Sequence, residues 1–171
     1  MTALDLVRGG LADIPFIMAT ERRPGFEALV GRWEEAQHRA AMAEARYAYF
    51  IGQLDGAPVG FALLRDWDSP EQVTLIKRIA MAEPGRGHGK AFLAALLDRV
   101  FGETQAFRLS LGHFPENTRA HRAYEAAGFQ TEGITRGSAF FHGDHRDETI
   151  MAILRPDWEG LRAHPSTRAA S

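Results

Sequence analysis

The sequence predicts a mixed α/β fold in a single domain, and three stretches carry that prediction. "YAYFIGQLDGAPVGFALLRDW" holds two strand-like runs flanking Asp55-Gly56, a residue pair suited to the tight turn of a β-hairpin. "AMAEPGRGHGKAFLAALLDRVF" sets Gly85, Gly87 and Gly89 directly before an amphipathic, helix-like run. "ENTRAHRAYEAAGF" reads as a helix closing at Gly128, where a left-handed cap is expected.

The remaining elements follow in order. "ALDLVRG" alternates like a first strand. Asp13 then stands where an N-cap belongs, with Pro15 in the first helical turn, and helical character runs to Ala19. A second helix is expected from about Phe26 to Arg39, because Phe26, Leu29, Val30 and Trp33 fall at helical spacings; Phe26, Leu29 and Trp33 are expected in the core. After the hairpin, "QVTLIKRIAM" is a β-branched, apolar strand, followed by the glycine loop and a helix over His88–Phe101. "AFRLSLGHF" is a strand, and "FQTEGITRGSAFFHG" with "RDETIMAIL" is a long hairpin turning near Gly143-Asp144. The predicted order is β-α-α-β-β-β-α-β-α-β-β, which is not the strict alternation of a doubly wound sheet.

Bulk properties narrow the function. The chain has 171 residues, 45% apolar and 25% charged, with a net charge of −2, so nothing in the charge balance calls for nucleic acid or a membrane surface. There is no cysteine, which excludes disulfides, thiolate metal ligands and a cysteine nucleophile. The start, "MTALDLVRGGLADIPF", lacks the apolar core of a signal peptide, and no run has the length of a membrane span. A cytoplasmic protein is expected, with a domain over residues 1–162 and a flexible tail, "AHPSTRAAS", over 163–171.

The glycine loop poses the chemical question. Glycine before a helix costs backbone entropy, and a helix start is a natural anion site. A P-loop needs G-x-x-x-x-G-K-[ST], but its first position falls on Pro84 and its last on Ala91. The dinucleotide fingerprint G-x-G-x-x-G fails at Lys90, and three strands precede it. The pattern left is x-x-x-G-x-G, "PGRGHG". There Gly87 and Gly89 are expected to turn the backbone so that N–H groups from Arg86 to Ala91 converge on a pyrophosphate without metal, helped by the helix dipole and the charges of Arg86 and Lys90.

With "PGRGHGKAFL" followed by "NTRAHRAYEAAGF", the sequence resembles the GNAT superfamily of acyl-CoA-dependent N-acyltransferases, whose signature is [QR]-x-x-G-x-[GA] before a helix and N-x-x-A-x-x-x-Y-x-x-x-G-F further along. Asn117, Ala120, Tyr124, Gly128 and Phe129 match the second motif in spacing. The resemblance covers about Leu4 to Leu154 and is strongest from Leu75 to Gly133; "RGSAFFHGDHRDETIMAIL" is similar to the branch that includes ribosomal-protein alanine acetyltransferases. Pro84 departs from the family's Gln or Arg, with Arg86 placed to compensate.

The resemblance implies a mostly antiparallel, twisted sheet flanked by helices, and an enzyme that transfers acetyl from acetyl-CoA to a primary amine by direct attack in a ternary complex. The acceptor implied is a small-molecule amine or a protein N-terminus, and the resemblance admits a homodimer. It further implies that backbone groups of Ile79, Ala80 and Met81 pair with the pantetheine arm. Arg86, Gly87, His88, Gly89, Lys90 and Ala91 would bind the pyrophosphate, and Asn117 would contact the arm or hold a splayed strand. Tyr124 would face the thioester sulfur as general acid, and a backbone N–H near Met81 would hold the oxyanion. A CoA-binding sensor without acceptor chemistry is the alternative, and a nucleotide-binding protein is opposed by the mismatches at Pro84, Lys90 and Ala91.

The residue that takes the amine's proton is less legible. "TLIKRIAM" holds no carboxylate, and its Lys77 and Arg78 read either as a substrate mouth or as solvated strand edges. Asp66, Asp68, Glu71 and His113 are candidate bases, with ordered water as the alternative. His38 is expected at the surface or in packing, with the lining of a substrate groove as the alternative, and for Phe26, Leu29 and Trp33 the resemblance implies, as the alternative to the core, that the first two helices cap the acceptor site. His142, Asp144, His145 and Asp147 in "FHGDHRD" read as a hairpin tip rather than as metal ligands, and no metal is expected.

Overall fold

The computed structural model describes residues 3–165. Seven strands form one sheet in the order β1-β2-β3-β4-β5-β7-β6. They are β1 (Asp5–Arg8), β2 (Tyr47–Leu54), β3 (Ala57–Arg65), β4 (Val73–Met81), β5 (Arg108–His113), β6 (Gln130–Phe141) and β7 (Asp144–Leu154). All neighbours are antiparallel except β4 and β5, which run parallel. The helices are α1 (Ile14–Glu21), α2 (Glu35–Met42), α3 (His88–Glu103), α4 (Thr118–Ala126) and α5 (Arg155–Ala163). The predicted order is observed, with a short 3-10 turn at Leu11–Asp13 and the helix α5 added.

Two apolar layers sandwich the sheet. Along β2 and β3 every second residue changes face: Phe50, Ala62 and Leu64 pack with Phe92, Leu96, Leu97 and Val100 of α3, whereas Tyr49, Ile51, Phe61 and Leu63 pack with Ile17 and Ala41 of α1 and α2. Both faces are covered, so these strands read as continuous hydrophobic runs rather than alternating ones. The Asp55-Gly56 turn has φ of 50° and 79°, as a two-residue hairpin requires. Gly128 takes the expected left-handed conformation after α4, with φ of 104°.

The structure corrects the sequence reading at several points. The second helix begins at Glu35, not near Phe26. One turn forms, with the Val30 N–H donating to the Phe26 carbonyl, and then the chain leaves helical pairing. Trp33 N–H donates instead to the Glu21 carboxylate at 3.3 Å, and its carbonyl accepts from Arg22 at 3.0 Å, so side chains satisfy the backbone groups a helix would have paired. Phe26, Leu29 and Trp33 are accordingly half-buried rather than core. Asp13 holds the N-cap position of α1, but its carboxylate accepts from Gly10 N–H and closes the 3-10 turn. The long hairpin turns at His142-Gly143, and Asp144 already belongs to β7.

The added helix α5 runs one residue past the expected boundary at 162. Arg155 donates to the carbonyls of Phe101, Thr104 and Ala106 and thereby caps the C-terminal end of α3, while Trp158 donates to Asp98 at 2.9 Å. The rest of the predicted tail, residues 166–171, lies outside the described residues.

Candidate active site

The centre of the sheet opens into a V. Pairing between β4 and β5 runs from Val73↔Arg108 to Ile76↔Leu111 and stops there. The cause is visible on β4's other edge, where Leu64 pairs Ile76 and Leu63 pairs Arg78, leaving Lys77 as an extra residue. Such a bulge bends the strand that carries it. Beyond it β4 continues to Met81 beside β3, while β5 follows β7 to His113↔Thr149. Ile79, Ala80 and Met81 therefore lie along the open side of the V. Ala80 faces the α1–α2 layer, and Ile79 and Met81 face α3.

The start of α3 stands at the β4 arm. Gly85 and Gly87 have φ of 89° and 79°, which an L side chain adopts only with strain. The sequence reading gave the turning role to Gly87 and Gly89; the structure moves it to Gly85 and Gly87. Gly89 lies inside α3, and a Cβ there would meet nothing closer than Met81 Cγ at 4.0 Å. Neither backbone conformation nor crowding requires glycine at 89, so the space its missing side chain leaves in front of the first helical N–H groups is open. His88, Gly89, Lys90 and Ala91 supply those groups, at the positive end of the α3 dipole. Arg86 pairs with Glu83 at 2.9 Å at the surface. A pocket of about 310 Å³ continues from here between α3 and α4, lined by Gly87, Lys90, Ala91, Ala94, Ala126 and Ala127. A hollow of about 370 Å³ lined by Arg8, Arg39 and Tyr47 lies at the opposite edge of the sheet.

Tyr124 stands at the other arm. Its ring packs on His113, the last residue of β5, and on Phe129, each with centroids 6.0 Å apart. Burial pushes the phenol up to about 12. Asn117 is the N-cap of α4, its side-chain oxygen accepting from Ala120 N–H at 3.3 Å. His113 is buried; Nδ1 donates to the Phe114 carbonyl at 2.9 Å, which leaves Nε2 to accept from His121 Nδ1 at 2.9 Å.

The face of the V turned toward α1 and α2 holds a buried ionic network. Glu21 accepts from Arg78 at 2.6 Å and faces His38 Nε2 at 3.2 Å, and His38 Nδ1 contacts the Tyr49 hydroxyl at 2.9 Å. Arg78 is thus neither a substrate mouth nor a solvated edge; its side chain is 9% exposed. His38 is fully buried rather than at the surface. Lys77 is exposed and stands 5.3 Å from the Trp33 ring. Asp66, Asp68 and Glu71 precede β4, at the end of that strand away from the V, and do not join the site.

A strap closes this face. His142 donates to the Glu27 carbonyl at 2.7 Å, and Arg146 donates to the Ala28 carbonyl at 2.9 Å, joining the β6–β7 hairpin to the loop between α1 and α2. Arg146 also pairs with Glu116 and lies over the Phe114 ring. Asp144 and Asp147 accept from backbone N–H groups of His145 and Gly137.

Comparison with known proteins agrees with this geometry. The model of the Acetyltransferase (GNAT) family matches residues 16–129, well over half of the chain. A probable N-acetyltransferase, YjcK of Bacillus subtilis, is 35% identical over 78 residues, covering 46% of this chain and 43% of the relative. Aminoglycoside N(6')-acetyltransferase type 1 of Klebsiella pneumoniae is 26% identical over 106 residues, covering 55% and 53%. The matched part thus spans about half the length of these curated relatives. Among solved structures, spermidine N-acetyltransferase from Vibrio cholerae in complex with CoA and spermine superposes with a TM-score of 0.78 at 20% identity, over 91% of this chain and 98% of that one. Aminoglycoside acetyltransferase AAC(6')-Ib with coenzyme A and kanamycin gives 0.77 at 20%, over 94% and 99%. At these identities the likeness is one of fold. No helix among the described residues is long and apolar enough to cross a membrane.

Proposed function

Because the chain belongs to the acetyltransferase (GNAT) family, we propose that it transfers an acetyl group from acetyl-CoA to a primary amine, by direct attack in a ternary complex. One observation carries the proposal: the V between β4 and β5 has an α-helix N-terminus at one arm and a protonated phenol at the other. The residues fit acetyl-CoA. The N–H groups of His88, Gly89, Lys90 and Ala91 offer donors to a pyrophosphate, over the space that Gly89 leaves open. Arg86 and Gly87 border the same point. The free edge of Ile79, Ala80 and Met81 offers strand-like pairing to the pantetheine amides. Asn117 holds the start of α4 and so fixes where Tyr124 stands.

Tyr124 supports departure of the thiolate. A thiol has a pKa of about 8.5, so full proton transfer from a phenol near 12 to a thiolate is uphill by roughly 5 kcal/mol. The phenol therefore acts by donating a hydrogen bond to charge developing on sulfur, and it stays protonated throughout the neutral range. A backbone N–H near Met81 stabilises the oxyanion. The relatives' names place polyamines and aminoglycosides among the acceptors to try, and we assign this chain a small-molecule amine.

A second reading rests on β4, which carries no carboxylate: a protein that binds CoA and transfers nothing. Incubation with acetyl-CoA and a panel of spermidine, kanamycin and alanyl-alanine amide, read by free thiol release and product mass, separates the two. Thiol release that depends on one of these amines supports the enzyme. Acetyl-CoA binding without amine-dependent release across the panel supports the sensor.

A further inference from the structure

We propose that Glu148 on β7 is the carboxylate that docks the acceptor's ammonium group and takes its proton, which makes the substrate a cationic amine. The inference rests on the acetyltransferase reading above. Glu148 lies two residues from Ile150, which pairs Gly112 on β5, so Glu148, Ile150 and Gly112 share one face of the sheet. Met151 and Leu111 face the α3 layer, so this shared face is the one turned toward α1 and α2. Gly112 is the first residue of β5 past the last β4–β5 pair, at the crotch of the V.

There the absence of a side chain admits the carboxylate. Glu148 Oε1 lies 2.9 Å from where a Gly112 Cβ would stand, and its Cδ lies 3.2 Å away. Ser138 donates to the other oxygen, Oε2, at 2.7 Å, which fixes the rotamer and leaves Oε1 turned to the crotch. Its charged neighbours include Lys77 on β4, whose amine is held below its usual range by partial burial and nearby arginines while Glu148 acts the other way, and Arg146 two residues back on the same face of β7, which is tied to Glu116. Tyr124 reaches the end of β5 from α4, on the opposite face. One side of the V thus presents a hydrogen-bond donor to the leaving sulfur, and the other presents a carboxylate to the incoming nitrogen. The strap from Arg146 to Ala28 and from His142 to Glu27 lies along the same approach.

The protons balance. The ammonium gives one proton to Glu148 Oε1, which passes it to solvent. The freed lone pair forms the C–N bond at the thioester carbonyl, and the C–S bond breaks with its electron pair on sulfur. The second proton leaves the nitrogen of the adduct and ends on the CoA sulfur.

The test compares wild type, Glu148→Gln and Gly112→Ala, using whichever of spermidine, kanamycin and alanyl-alanine amide the wild type acetylates fastest. Both variants are expected to bind acetyl-CoA within twofold of wild type while kcat/KM for the amine falls about 100-fold at neutral pH. The Glu148→Gln deficit is expected to narrow as pH rises, because bulk solvent then supplies the free amine, and a merely structural role would not move with pH in that way. A Glu148→Gln rate within threefold of wild type, or an equal loss of acetyl-CoA affinity, overturns the assignment. If the wild type acetylates none of the three, the enzyme reading itself fails and this assignment falls with it.

Discussion

The two faces of the V are built by opposite means. On the α3 side the groups left open belong to the polypeptide backbone: helical N–H donors, left-handed glycines and the β4 edge past its last pair with β5, with small alanines leaving a groove. The α1–α2 side is built instead from charged and polar side chains gathered from distant parts of the chain: the buried network of Glu21, His38 and Arg78, with Arg146 and Glu148 on β7. A backbone site tolerates change in most side chains and fits one invariant ligand. A side-chain site changes its specificity with a few substitutions. Under the proposed function, the division suits acetyl-CoA on the backbone side and a selected amine on the side-chain side.

The largest expected effect lies on the side-chain half. Removing Glu21 leaves the buried Arg78 guanidinium without its partner, and Glu21→Ala is predicted to lower stability by about 3–5 kcal/mol in urea denaturation. The apolar pair Glu21→Leu with Arg78→Leu should recover part of that loss, because no buried charge pair is left broken while the Trp33 N–H and His38 Nε2 still lose their acceptor. A loss under about 1 kcal/mol for Glu21→Ala would mean that solvent reaches Arg78, and the contrast between the halves would shrink.

Tyr124→Phe comes next. It is predicted to lower kcat about 100-fold with acetyl-CoA affinity within twofold. Because burial holds the phenol near 12, the wild-type pH–rate profile should show no alkaline fall from this group below about pH 11. A fall near pH 10 that disappears in Tyr124→Phe would show the phenol to be exposed and titrating.

The glycines sharpen the backbone half. Gly87→Ala forces an L residue to a φ of 79° and should cost about 1–2 kcal/mol of stability as well as acetyl-CoA affinity. Gly89→Ala should leave stability unchanged or slightly raised, since the residue is helical and uncrowded, yet weaken acetyl-CoA about tenfold. Equal behaviour of the two variants would remove the proposed close approach at Gly89.

The smallest effect concerns the exposed, two-pronged pair of Arg108 with Glu132, at 2.6 Å through both oxygens. The guanidinium holds the Glu132 carboxyl below its usual range. A lowered folded-state value adds stability above the ordinary carboxylate range, and that stability disappears as pH falls through the depressed value. Solvent screening keeps it below about 1 kcal/mol, so Glu132→Gln should change urea stability little at pH 7 and not at all in strong acid.

The same division explains what the sequence disclosed. The glycine loop, the Asp55-Gly56 turn, the Gly128 cap and the Asn117–Tyr124 helix are local patterns, each complete within a few residues, and each lies where the sequence placed it, with only the left-handed positions of the loop shifted to Gly85 and Gly87. The burial of Arg78 and the packing of His38 depend on Glu21, which is distant in sequence from both, and a single sequence carries no record of those contacts. Phe26 to Trp33 kept helical spacing but lost the helix to the side chains of Arg22 and Glu21, a tertiary override of a local signal. Glu148 lies on a strand legible only as one arm of a long hairpin, and the pairing of Gly112 with Ile150 is what turns it toward the V. The helix α5 is a different case: Arg155-Pro156-Asp157 before Trp158 is a local start signal, with Asp157 accepting from Leu154 N–H, and it is legible in the sequence.

The central claim is that the V with its glycine loop is built for acetyl-CoA. The most direct measurement is a calorimetric titration of the purified protein with acetyl-CoA, with ATP and NAD as controls. Acetyl-CoA is expected to bind at roughly micromolar concentration, with one site per chain and no detectable binding of the controls. Tighter binding of ATP or NAD, or no binding of acetyl-CoA, would contradict it.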